Sequence, residues 1–145
     1  MKRIALISIL LLACMMGFAQ GCFDPLLIQE MNRRSDDERI EVVVLMKAQY
    51  ERSQLCRHAD YFPSRAERRA FVVNELKAFS EASQHDLKSI LVELESHGLV
   101  SSVHSLWSAN ALYFEATKTA LLDLSERTDI ETISLNIQHQ WIPDG

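Results

Sequence analysis

The run Ile40-Glu41-Val42-Val43-Val44-Leu45-Met46 is β-branched and almost wholly apolar, the pattern of a strand in the middle of a sheet. Before it, Leu26, Leu27, Ile28 and Met31 stand at near-helical spacing and predict one short helix, while Asn32 to Arg39 is charged and reads as a solvated linker. After it, Lys47 to Pro63 is polar, carries Cys56 and shows no clear period. That stretch reads as an inserted loop with room for a helical turn.

A helix is predicted to begin at Ser64. In Ser64-Arg65-Ala66-Glu67 the serine oxygen takes an orphan amide and the glutamate returns the bond, and Pro63 blocks extension upstream. Val72, Leu76, Phe79, Ser83, Leu87, Ile90 and Leu94 then form one stripe with a polar notch at Ser83, and Gly98 sits where a left-handed C-terminal cap is wanted. A helix of that length is about 50 Å long, more than a small sheet covers. It must either bend near Ser80 to Gln84 or project its first turns.

Leu99 to Trp107 and Asn110 to Ala116 are extended segments joined closely enough for a hairpin, and since neither alternates cleanly their faces stay unassigned. Thr117 caps a short helix with Ala120, Leu121 and Leu124 on one face, and Ile130 to Leu135 is a last β-type run. The order strand, helix, strand, strand, helix, strand predicts an α+β fold of the ferredoxin-like split βαβ plait (βαββαβ). Its four-stranded antiparallel sheet would carry two helices on one face. The domain would span residues 40–135, with a lead-in at 20–39 and a polar tail at 136–145.

The chain has 145 residues, 48% apolar and 24% charged, with four glycines and three prolines, which excludes collagen-like, low-complexity and wholly disordered classes. Lys2 and Arg3 precede an apolar run from Ile4 to Phe18, and Gly17-Phe18-Ala19 offers small residues at a cleavage site. Residues 1–19 therefore read as a signal peptide, the run being shorter than the roughly 20 residues that span a bilayer. The expected location is exported, periplasmic or secreted. The alternative is a lipid anchor, because Leu11-Leu12-Ala13-Cys14 resembles a lipobox with Cys14 as the lipidated residue. Unless lipidated there, the mature chain is expected to hold no membrane contact.

Loss of Lys2 and Arg3 moves the net charge from −5 to −7 and argues against a nucleic-acid partner, whose phosphates need a basic footprint. The same cut leaves Cys22 and Cys56, an even number in an oxidising compartment, which predicts a disulfide worth on the order of 3 kcal/mol. His58, His85, His97, His104 and His139 have no metal-site spacing and read as surface histidines. No metal or cofactor is expected. A glycine-poor chain also lacks a nucleophile elbow, and the carboxylates at Glu75, Glu81, Asp86, Glu93 and Glu95 read as solvated helix faces. The residues thus suggest a small exported domain with a binding role and no catalytic residues.

From Ser64 to Ile133 the chain resembles the propeptide and proteinase-inhibitor family of subtilisin-type (subtilase) serine proteases. The resemblance lies in an ordered set of local features: Ser64-Arg65-Ala66-Glu67-Arg68-Arg69, then Ser83-Gln84 and Asp86-Leu87, then Leu106-Trp107 with Asn110-Ala111. Glu115-Ala116-Thr117 follows, and Arg127-Thr128-Asp129-Ile130 stands where the family often has Arg-Pro-Asp-Val, with Ile40 to Met46 as first strand. The family's common acidic pair after the last strand is here Ser134 and Asn136. The resemblance implies an inhibitor and intramolecular chaperone whose sheet docks on a subtilisin-like serine protease. It also implies a C-terminal tail, Leu135, Asn136, Ile137, Gln138, His139, Gln140 and Trp141, lying in the protease's active-site cleft. The alternative from the residues alone is a ferredoxin-like ligand-binding or self-associating domain.

Overall fold

The computed structural model describes residues 22–137, and within them the β-branched run forms β1, Arg39–Met46, at the centre of a four-stranded sheet. β2 is Val100–Leu106, β3 Ala111–Thr117 and β4 Ile130–Leu135, in the spatial order β2-β3-β1-β4 with every neighbouring pair antiparallel. The helices are α1 Pro25–Arg33, α2 Arg52–Ala59, α3 Arg65–Ser96 and α4 Lys118–Ser125. The protein is α+β, with an open antiparallel sheet and four described helices.

Only one face of β1 is closed. Ile40, Val42, Val44 and Met46 are buried, whereas Glu41, Val43 and Leu45 are half-buried on the other face. The register carries this division across the sheet, since Val42 faces Phe114 and Val44 faces both Leu112 and Ile133. Leu27 and Met31 of α1, Leu87 and Leu91 of α3, and Ala120, Leu121 and Leu124 of α4 join these strand residues in one core. Burial of that apolar surface is the main force holding helices to sheet. Phe23 adds a parallel bridge to Ile133 on the outer side of β4.

The predicted capping box is formed: the Glu67 amide donates to Ser64 Oγ (3.1 Å) and the Ser64 amide to Glu67 Oε2 (3.0 Å). α3 ends in a Schellman turn in which the Gly98 amide donates to the Glu95 carbonyl (2.9 Å) and the Leu99 amide to that of Leu94 (3.0 Å). Gly98 has φ +73, a conformation in which a Cβ is strained. Between its caps α3 is continuous through Ser80 to Gln84.

The centre of its buried stripe is Ser80, Gln84, Leu87 and Leu91, one residue off the predicted stripe at three positions. The polar notch is a hydrogen-bonded part of the interior. Gln84 Nε2 donates to Asn110 Oδ1 and to the Ala111 carbonyl (both 3.1 Å), and Gln84 Oε1 accepts from Ser105 Oγ (2.7 Å). Asn110 Oδ1 also accepts from Ser83 Oγ (2.9 Å), while its Nδ2 donates to the Ala48 carbonyl (2.6 Å). Asn110 ends the 3-10 turn Trp107–Ala109 in left-handed conformation, φ 45, which asparagine tolerates better than most residues. One side chain thus ties the β2–β3 turn to α3 and to the loop after β1.

Two expectations change. The stretch Lys47 to Pro63 contains the two-turn helix α2, whose buried Leu55 and Ala59 are too few to give a visible period. The N-terminal half of α3 packs on this helix and the residues flanking it, Phe71 lying 6.5 Å from His58 of α2 and 4.9 Å from Phe62 after it, and Phe79 standing edge-on to Tyr50 before it at 5.2 Å. That packing accounts for a helix longer than the sheet.

Candidate functional site

The face of the sheet opposite the helices carries its side chains in a defined arrangement. Antiparallel register places Glu41 directly opposite Glu115, Val43 opposite Tyr113 and Leu45 opposite Ala111, and on the outer side His104 opposite Tyr113 and Leu106 opposite Ala111. Thr132 and Ser134 of β4 face Leu45 and Val43 on the same side. Half-buried Val43, Leu45 and Tyr113 give the face an apolar middle, with Leu106 40% exposed at its rim.

The two glutamates are held by neutral donors. Asn136 Nδ2 donates to Glu41 Oε2 (3.1 Å) and Ser101 Oγ to Glu115 Oε2 (3.0 Å), and among the described residues neither carboxylate has an ion-pair partner. Like charges directly across a ladder oppose folding slightly. Their field is felt next door: desolvation pushes the Tyr113 hydroxyl above its ordinary 10.0, and the charges of Glu41 and Glu115 push it the same way. His104 stacks on Tyr113 with centroids 5.9 Å apart.

The chain leaves the sheet at this end. Leu135 pairs with Val42 and packs against the core, and Asn136 is tied down twice, its amide donating to the Glu41 carbonyl (2.9 Å). Ile137 is 45% exposed. Of the predicted tail residues, Leu135 and Asn136 therefore belong to the sheet margin and Ile137 projects, while Gln138, His139, Gln140 and Trp141 lie outside the described residues. An open notch lined by Arg34, Arg39, Glu41, Glu115 and Ile137 adjoins the exit.

Cys22 and Cys56 are both free thiols in this structure, so the expected bridge is not formed in it. They stand on different elements: Cys22 lies beside β4, its carbonyl accepting from the Ile133 amide (2.7 Å), and Cys56 is on the exposed side of α2. Burial pushes the Cys22 thiol above its ordinary 9.0, against a smaller opposing effect of the Ile133 backbone. Cys14 and the predicted signal peptide lie outside the described residues.

His58, His85, His97 and His104 are all exposed. Among the described residues no three His, Cys, Asp or Glu side chains gather as metal ligands, and no helix is long and apolar enough to cross a membrane. The sequence pattern alone does not mark Glu41 and Glu115 as a facing pair. The signal for Glu41 was a lone charge within a seven-residue apolar strand, but its opposition to Glu115 is a matter of register. No protein-family model, curated protein or solved structure matches the chain.

Proposed function

We propose that this domain is an exported, non-catalytic inhibitor and folding chaperone of a subtilisin-like serine protease, docking through the open face of its sheet with its C-terminal tail in the protease's cleft. The single observation that carries the reading is the half-apolar sheet face, Val43, Leu45 and Tyr113, at whose margin Asn136 hands the chain over to exposed Ile137. A half-apolar sheet face of this kind can serve as a docking platform, and an extended segment leaving it can add as a strand to a partner's cleft edges while alternate side chains fill its pockets.

The finer topology belongs to the same reading. We read the sheet as a ferredoxin-like plait, supported by the order β2-β3-β1-β4, antiparallel neighbours throughout, and helical crossovers between β1 and β2 and between β3 and β4. Export by a signal peptide at residues 1–19, or lipid anchoring at Cys14, completes the proposal and places the protein with secreted proteases. The ordered local resemblance from Ser64 to Ile133 supports the choice of partner.

The test is a titration of the purified protein against a panel of subtilisin-like proteases, following hydrolysis of a small chromogenic substrate and, separately, recovery of activity when the denatured proteases refold. Tight competitive inhibition, or faster recovery, is expected. Folded protein that does neither, and that forms a dimer in solution, would overturn the proposal in favour of a self-associating domain.

A further inference from the structure

A second site lies away from the sheet face, where the loop after β1, α2, α3 and the 3-10 turn meet. They enclose a cleft of about 300 Å³, at the lower end of the range for small-molecule sites. Tyr50, Leu55, Leu76, Phe79 and Trp107 make its walls. Gln49, Arg52, Ser108 and Asn110 supply its polar edge.

The cleft is built rather than left over. Its loop wall is fixed by Asn110 Nδ2 on the Ala48 carbonyl (2.6 Å) and by Gln49 Nε2 on the Met46 carbonyl (2.8 Å). Its aromatic wall is fixed by the edge-on Tyr50–Phe79 pair, with the Tyr50 hydroxyl donating to Glu75 (3.1 Å). Lys77 Nζ lies 5.4 Å from the centroid of Trp107. A preformed concave apolar site loses little on ordering when a ligand enters.

Arg52 of the lining and Glu75, which is bonded to the lining residue Tyr50, differ in their engagement. Glu75 already accepts from Tyr50, whereas Arg52 has no hydrogen-bond or ion-pair partner among the described residues. A guanidinium beside an aromatic and aliphatic slot fits a planar carboxylate at the head of a short apolar body. We propose that this cleft is a binding site for a small aryl or branched aliphatic carboxylate, its hydrocarbon against Phe79, Leu76 and Trp107 and its carboxylate on Arg52. The proposal is independent of protease inhibition.

The probe is 3-phenylpropionate, with 3-phenylpropylamine as the same body carrying the opposite charge. Binding is read from Trp107 emission in a Trp141→Phe variant, which removes the other tryptophan of the chain. A saturable change with the carboxylate is expected, weakened about tenfold or more by Arg52→Gln, since a charge-assisted pair is lost. Leu76→Trp, filling the slot, is expected to abolish it when followed by calorimetry. Equal binding of acid and amine, an unchanged affinity in Arg52→Gln, or no saturation with the folded protein would each overturn the assignment.

Discussion

At the residue scale, two buried polar side chains, one after the β2–β3 turn and one in α3, carry opposite consequences. The Asn110 side chain serves three groups at once, accepting from Ser83 and Gln84 and donating to Ala48, while its backbone sits at φ 45. Replacing it by alanine leaves Gln84 Nε2 with one partner and the Ala48 carbonyl without this donor, and a loss of about 3 kcal/mol is expected in denaturant unfolding. Ser80 Oγ is buried with no partner among the described residues, so Ser80→Ala is expected to be neutral or stabilising by the same measurement. The pair Glu41 and Glu115 gives a third case. Glu115→Gln keeps an acceptor for Ser101 and removes a like-charge contact, which should raise stability by about 0.5 kcal/mol. The same change should lower the Tyr113 titration toward its ordinary 10.0, read by ultraviolet absorbance, because one of the charges pushing it up is gone.

At the element scale, the start of α3 ties local structure to pH. The hydroxyl and amide of Ser64 donate to Glu67 and hold its carboxyl below the ordinary 4.5. A group depressed in the folded state adds stability above its unfolded value and loses it as the pH falls through the folded one. Glu67→Ala should therefore lower Tm most at neutral pH, with the difference from the parent protein shrinking as the pH drops below 4.5. Thermal melts across that range check the sign.

The caps of α3, the central strand and the Thr117 cap of α4 were legible in the sequence because each rests on contacts a few residues apart. The faces of β2 were not. A register shift between Ser101 and His104, with Ser102 at φ 58, reverses the alternation partway along the strand. α2 was legible only as room for a helical turn because only Leu55 and Ala59 are buried on it, and the notch at Ser83 concealed a network completed by Asn110, far away in sequence. Of the candidate site, the Glu41–Glu115 opposition was not legible, because it depends on strand register.

At the scale of the whole molecule, the division of labour is between two faces of one sheet. The helices cover the face that carries the core, and the proposal assigns the other, with Val43, Leu45, Tyr113 and the two glutamates, to a partner. Leu135 and Asn136 anchor the start of the tail to that sheet, so a bound tail would be positioned by the domain at little cost in chain entropy. Inhibition should then need both parts in one chain. The most direct measurement is the inhibition constant of the intact protein against a susceptible subtilisin-like protease, compared with that of a chain ending at Leu135 that keeps the same thermal unfolding profile. Truncation is expected to weaken competitive inhibition by a factor of about 100 or more, roughly the loss of two well-filled pockets. An unchanged inhibition constant would contradict placement of the tail in the protease's cleft.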